Sequence, residues 1–137
     1  MDEETLQLVT DLHIYNHRQG PGSNEAFQLM LRLSGIDREA KLSVVDIGCG
    51  TGSSTMPLLQ QTNAQVTAVE LLPAFLEQLQ ASADAAGAGK RLMTLQADMA
   101  DLPFQDEQFD VIWSEGAIYN IGFETGIKTW RRFLKPG

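Results

Sequence analysis

Val44-Val45-Asp46-Ile47-Gly48-Cys49-Gly50-Thr51-Gly52 runs an apolar stretch straight into three alternating glycines, with Ser53, Ser54 and Thr55 behind them. Short β-branched run, glycine punctuation and hydroxyl residues together predict a buried strand, a tight turn and the start of a helix. Glycine matters here for two reasons: without a Cβ it lets a ligand come close to the main chain, and it tolerates the positive φ such turns need. A ligand belongs over this turn.

Its chemistry is the first question. A dinucleotide turn requires G-x-G-x-x-G, with the third glycine allowing close helix packing and the helix N-terminus facing a pyrophosphate. Here the third position is Ser53, and Gly52 falls one residue early. A Walker-type loop needs Gly-Lys-Ser/Thr, and the turn holds no lysine. Both phosphate readings weaken. The pattern D-x-G-x-G-x-G instead resembles the first motif of the class I S-adenosylmethionine-dependent methyltransferases, the plain alternative being a βα turn that is merely tight.

Composition sets outer bounds. Eighteen acidic against ten basic residues give a formal net charge of -8 over 137 residues, the wrong sign for a polyanion partner, so nucleic acid is excluded as the expected substrate. No stretch approaches the roughly 18 apolar residues of a membrane span, and the acidic start Met1-Asp2-Glu3-Glu4 is unlike a signal peptide. No membrane partner and a cytoplasmic location are expected. The single cysteine, Cys49, has no disulfide partner in the chain and fits a reducing compartment. It reads as a small residue between turn glycines rather than a nucleophile.

The chain stops at Leu134-Lys135-Pro136-Gly137, a helix end followed by a turn signal. It reads as the N-terminal part of a longer protein, or a shortened form of one.

From the start, Thr5 to Tyr15 places Leu8, Leu12 and Tyr15 at helical spacing, with acids at the N-terminal end. His13 and His17 stand four apart, but a metal site needs three or four ligands and no third is near, so no metal is expected. Ser23 or Asn24 caps a second helix to about Ser34, with Phe27, Met30 and Leu31 as its buried stripe and Gly35 at its end. After the first strand (Val44 to Ile47), a helix starts near Ser53 or Ser54, with Pro57 in its first turn. The second strand is Gln65 to Val69, ending in Glu70. An acid about 20 residues beyond a glycine turn, at a strand's carboxyl end, suits the two hydroxyls of a ribose.

Pro73 opens a helix through Ala86, and Gly87 and Gly89 stop it. The third strand, about Leu92 to Ala97, ends at Asp98 and Met99, and the fourth, Phe109 to Trp113, runs into Ser114, Glu115 and Gly116. A last helix from about Phe123 to Phe133 turns Ile127, Trp130 and Leu134 to the sheet. Trp113 and Trp130 read as core. Four short strands separated by helices predict an α/β fold with a doubly wound parallel sheet. Its ligand sits beyond the carboxyl ends of the strands, where the glycine turn, Glu70, Asp98 with Met99, and Ser114 with Glu115 converge.

The resemblance now covers nearly the whole chain. VVDIGCGTG, AVELLP, ADMADLPF and FDVIWSEGAIYNIG are similar to successive motifs of class I methyltransferases, and RQGPGS with WSEGAIYNIGFE resembles a bacterial small-molecule branch. It implies a Rossmann-like sheet of seven strands ordered 3-2-1-4-5-7-6, of which this chain supplies 3-2-1-4. Residues 1–40 then form N-terminal helices and a cofactor-covering loop, and residues 41–137 the first part of the S-adenosylmethionine domain. The resemblance implies that Asp46 and the turn main chain at Gly48, Cys49 and Gly50 hold the methionine end of S-adenosyl-L-methionine, leaving S-adenosyl-L-homocysteine as product. Glu70 takes the ribose, Leu71 an adenine face, Asp98 and the Met99 N–H the adenine edge, and Ser114 the region near the sulfonium. The loop from Arg18 through Gly20 to Ser23, with Tyr15, closes over the cofactor. A fourth strand left at the edge would offer unpaired main chain for self-association.

Methyl transfer from a sulfonium is an in-line displacement that depends on positioning, with a base needed only for a protonated acceptor. Candidate bases are Glu115, His17 and Tyr119, each with a plainer reading as a positioning, surface or wall residue. Ser114-Glu115-Gly116-Ala117 lacks the Asn/Asp-Pro-Pro-aromatic motif of the enzymes that methylate base amines or amide nitrogens. A small-molecule acceptor is expected. A cofactor-binding module without chemistry, or an inactive fragment, is the alternative, and a nicotinamide-dependent oxidoreductase is disfavoured by Ser53.

Overall fold

The computed structural model describes residues 2–16, 18 and 22–137. Helices α1 (Glu3–His13) and α2 (Asn24–Ser34) lead into strand β1 (Ser43–Ile47), helix α3 (Thr55–Gln61), strand β2 (Gln65–Glu70), helix α4 (Pro73–Ala85) and strand β3 (Leu92–Gln96). Strand β4 (Val111–Trp113) and helix α5 (Phe123–Trp130) follow. Short 3₁₀ turns occupy Gly89–Arg91, Ile118–Asn120 and Arg131–Phe133.

The four strands form one parallel sheet in the order β3-β2-β1-β4, the doubly wound arrangement expected from the sequence. β1 is central and buried on both faces, as an all-parallel sheet demands. Successive side chains of a strand point to opposite faces. Val44 therefore joins a core with Phe27, Leu31, Leu58, Leu79 and Trp113. Val45 and Ile47 join another with Val69, Phe109, Trp130 and Phe133. The Phe27 and Trp113 rings meet at 5.2 Å, so α2 packs on the same core as the sheet.

Local signals account for the helix ends. Ser23 Oγ accepts the Ala26 N–H at 3.0 Å, and Gly35 closes α2 at φ 70°. Pro73 stands in the first turn of α4. The C-terminus of α3 is capped from afar. Arg91 donates to the carbonyls of Leu59 (2.5 Å), Ala64 (2.9 Å) and Thr62 (3.2 Å), a cation at the negative end of the helix dipole.

Several expectations need correction. Leu8, Leu12 and Tyr15 are exposed. The inner face of α1 is Thr10, whose hydroxyl donates to Leu6 O at 2.8 Å, together with half-buried Leu6 and Val9. Met30 is exposed while Phe27 and Leu31 are buried. On α5 the buried stripe is Gly126, Trp130 and Phe133, with Ile127 and Leu134 turned out. The reason is Gly126: a Cβ there would collide with the Ile118 side chain, so the helix makes its closest approach at that residue. α3 begins at Thr55 rather than at Ser53 or Ser54, and β4 begins at Val111 rather than at Phe109. Phe109 pairs outward instead, giving its N–H to Phe133 O at 2.9 Å and accepting from Lys135 N at 2.8 Å. Its stretch of the expected open edge is therefore occupied within the chain.

Candidate functional site

The carboxyl ends of the strands open onto two adjoining cavities. One, of about 270 Å³, is lined by Asp46, the Gly48–Gly50 turn, Ser53, Ser54, Glu70, Arg18, Glu115 and Tyr119 among others. The other, of about 370 Å³, is lined by Glu70, Leu71, Asp98, Met99 and neighbours. Val9, Gly48, Glu70, Met99 and Asn120 line both.

Gly48 is the shared floor. It has φ 74°, and a Cβ there would lie 2.5 Å from the Ala117 Cβ and 3.3 Å from Met99 Cε, so a side chain would fill the place where the cavities meet. The turn itself is pinned to β2. The N–H groups of Gly48 and Cys49 both donate to Val69 O, at 2.9 and 3.0 Å, and Gly50 N–H donates to Glu70 Oε2 at 3.0 Å. These donors are spent inside the protein rather than presented in a row to a phosphate, which agrees with the departure from the dinucleotide pattern.

Glu70 anchors the turn and lines both cavities. Its Oε1 accepts from Leu71 N (2.8 Å) and Leu72 N (3.3 Å). A carboxylate offers about four acceptor positions; these three N–H groups occupy all but one, on Oε2. Asp98 Oδ1 accepts from Ala100 N at 2.8 Å, and the carbonyl of Met99 is held by the Trp130 indole N–H at 2.9 Å. These bonds fix the wall of the second cavity.

Asp46 lies near the end of β1 with 1% of its surface exposed, and its Oδ2 accepts from the Thr55 hydroxyl at 2.6 Å. Burial pushes its carboxyl up to about 7, the Thr55 bond opposing and the charges of Glu115 and Glu70 adding to the rise. Burial likewise holds the Cys49 thiol well above its ordinary value, which disfavours the thiolate that a nucleophile needs. Glu115 is held by the Ser54 hydroxyl (2.8 Å) and the Trp113 indole (3.3 Å) at Oε1. Its Oε2 is buried without a hydrogen bond among the described residues, 3.5 Å from Arg18 Nη1. Gly22 covers this oxygen, a Cβ there lying 3.1 Å from it.

The structure thus brings together Arg18, Asp46, Gly48, Cys49, Gly50, Glu70, Leu71, Asp98, Met99, Glu115 and Tyr119. Ser114 stands apart: its hydroxyl donates to Ile47 O at 2.9 Å, tying the segment after β4 to β1. Tyr15 is 92% exposed and lines a separate groove with Asn16, Phe27 and Met56. His17 and Gly20 lie outside the described residues. Sequence reading missed Val9, Ser54, Ala117 and Asn120. Ser54 could have been suspected from its place at the start of α3, whereas its partner 61 residues away could not. No group of three or more potential metal ligands occurs among the described residues, and no described helix is long and apolar enough to cross a membrane.

Residues 44–137 match the family described as "Methyltransferase domain". The chain is similar to the O-methyltransferase resE of Aspergillus sclerotiorum, at 26% identity over 149 aligned residues covering 100% of this chain and 56% of that protein. It is similar also to the tocopherol O-methyltransferase of Arabidopsis thaliana, at 33% over 88 residues, 61% of this chain and 25% of that protein. The fold matches the crystal structure of an S-adenosylmethionine-dependent methyltransferase from Geobacter sulfurreducens in complex with S-adenosyl-L-homocysteine. That match has TM-score 0.78 and 20% identity, and covers 97% of this chain and 52% of the other. The chain spans about half the length of the first curated relatives it matches. With the sheet order, the glycine turn and the strand-end acids in place, the chain belongs to the class I S-adenosylmethionine-dependent methyltransferase family.

Proposed function

We propose that the protein transfers a methyl group from S-adenosyl-L-methionine to a small-molecule acceptor. The observation that carries this is the pair of cavities meeting over Gly48, with Glu70 in both walls. Their dimensions and chemistry suit a ligand with an amino-acid end, a diol and a heterocycle. The cradle would be filled by any Cβ at Gly48, and Glu70 keeps one acceptor position, on Oε2, for a hydroxyl of the diol.

When bound, the cofactor supplies a methyl group activated on a positively charged sulfur. The residues of this chain bind and orient. Glu70 receives the ribose hydroxyls, Asp98 and the Met99 main chain border the adenine side, and Asp46 with the Gly48–Gly50 turn borders the methionine side. Glu115 and Tyr119 stand on the wall of the first cavity, where an acceptor would approach. Glu115 is oriented by Ser54 and Trp113, which suits it to position a protic acceptor and to receive its proton. An acidic chain without an Asn/Asp-Pro-Pro-aromatic motif after β4 favours a small acceptor over nucleic acid.

Calorimetric titration with S-adenosyl-L-homocysteine, with a nicotinamide dinucleotide as comparison, tests the reading. Saturable binding of the first alone is expected. Glu70→Ala should weaken it about tenfold or more, the size of a lost hydrogen bond to a charged group. Binding of the dinucleotide alone would refute the proposal.

A further inference from the structure

Strand β3 (Leu92–Gln96) is the outer strand on one side of the sheet and is bonded to β2 alone among the described strands. Its register with β2 runs from Leu92 to Gln96 without a bulge. The direction of its main-chain groups follows from one bond. Ala97 N–H donates to Glu70 O at 3.2 Å, so the alternation along a strand turns the main-chain groups of Met93 and Leu95 toward β2 as well. Those of Leu92, Thr94 and Gln96 face outward. The Leu92 N–H bonds back to Gly89 O. The N–H groups of Thr94 and Gln96 and the carbonyls of Leu92, Thr94 and Gln96 therefore point away from the sheet, without a main-chain partner among the described residues.

Proteins usually guard such an edge with a charged side chain, a proline, a bulge or a covering segment, because it offers a template to another strand. β3 reads Leu-Met-Thr-Leu-Gln, with no charge, proline or glycine, and Met93 is 71% exposed. The opposite side of the sheet differs, since Phe109, just ahead of β4, already bridges to Leu134.

We propose that the β3 edge is an interface between two copies of this chain, paired antiparallel about a two-fold axis at Thr94. The strand is self-complementary about that residue. Thr94 faces Thr94 of the second copy, and the two exchange N–H···O bonds in both directions. The Gln96 N–H of each copy reaches the Leu92 carbonyl of the other. On one face of the joined sheet the threonines form a favourable cross-strand pair. On the other, exposed Met93 meets Leu95 of the second copy, which packs against the core of its own chain. Beyond the strand, the same register sets Lys90 across from Asp98 of the second copy, and both are exposed. That opposite-charge match, made twice, counts in a chain of formal net charge -8, whose copies otherwise repel. The fit of each residue to its two-fold mate favours a second copy over an extended segment of another protein.

Sedimentation equilibrium of the full chain from about 10 μM to about 1 mM tests the proposal, a range suited to a small interface. A monomer–dimer equilibrium is expected. Thr94→Lys sets two ammonium groups face to face across the axis and should weaken the dimer about fivefold or more. Thr94 is exposed, and thermal unfolding of the dilute variant checks its fold. Amide exchange on wild type gives a readout specific to this edge and decides alone should the variant not fold. The Thr94 and Gln96 amides should exchange about fivefold or more slower in concentrated than in dilute protein. Those of Met93, Leu95 and Ala97, held by β2 at every concentration, should not change. A monomer across the whole range overturns the proposal. So does a dimer that Thr94→Lys leaves intact, or a concentration effect on β3 amides that does not alternate.

Discussion

The Thr55 hydroxyl donates to Asp46 Oδ2 at 2.6 Å, joining the end of β1 to the first residue of α3 across the glycine turn. Both partners are buried, and the bond holds the turn in the shape that leaves its outer surface to the cavities. It is also the main stabilising contact of a carboxylate that burial disfavours. Because burial raises the folded-state value of Asp46 to about 7, the folded protein binds a proton more tightly than the unfolded chain does. The associated stability is present in full below the ordinary carboxylate range and is lost as pH rises toward 7. Urea denaturation at pH 5, 6, 7 and 8 should therefore show wild type losing stability relative to Asp46→Asn as pH rises, by up to about 1.4 kcal/mol per pH unit. Equal slopes for the two proteins would show that Asp46 ionises normally.

Thr55→Val keeps the shape and removes the donor. A buried carboxylate stripped of a hydrogen bond loses about 1–3 kcal/mol, and the loss should be larger at pH 8, where Asp46 is charged, than at pH 5. Thermal or urea unfolding at the two pH values reads this directly. A loss independent of pH would mean that the hydroxyl matters for packing alone.

Gly48→Ala attacks the site itself. At φ 74°, with a Cβ 2.5 Å from that of Ala117, the variant strains the backbone and narrows the junction of the two cavities. Left-handed strain costs on the order of 1–3 kcal/mol. Binding of S-adenosyl-L-homocysteine should fall by more than about tenfold, and calorimetry checks it. Affinity equal to wild type would show that the ligand does not cross this junction.

How legible was this molecule in its sequence? The strand ends were, because short apolar runs and glycines are local signals, and the helix caps at Ser23, Gly35 and Pro73 are local too. The convergence of the glycine turn, Glu70 and Asp98 follows from the winding rules of parallel sheets, whereas the order of the strands was legible only through the family resemblance of the motifs. What failed was the choice of face. α1 turns Val9 and Thr10 inward because one side of it borders the crevice, so its larger apolar residues lie outside. α5 follows Gly126, a residue with no hydrophobicity to count. Glu115 with Ser54, and Arg91 with the end of α3, are long-range pairs that no spacing rule exposes.

Arg91 gives the complementary prediction, one about folding rather than ligand. Its guanidinium reaches three carbonyls at and beyond the end of α3, groups that a helix C-terminus leaves without partners. Arg91→Met retains much of the aliphatic stem and removes the donors. Stability should fall by about 1–3 kcal/mol, since charge-assisted bonds to otherwise orphaned carbonyls are lost together. Cofactor affinity should stay within about twofold, because Arg91 lines neither cavity over the glycine turn and distant sites add nearly independently. Urea denaturation and calorimetry on the same preparation separate the two effects. A variant of full stability with impaired binding would mean that α3 transmits its position to the glycine turn, and that Arg91 acts on the site through it.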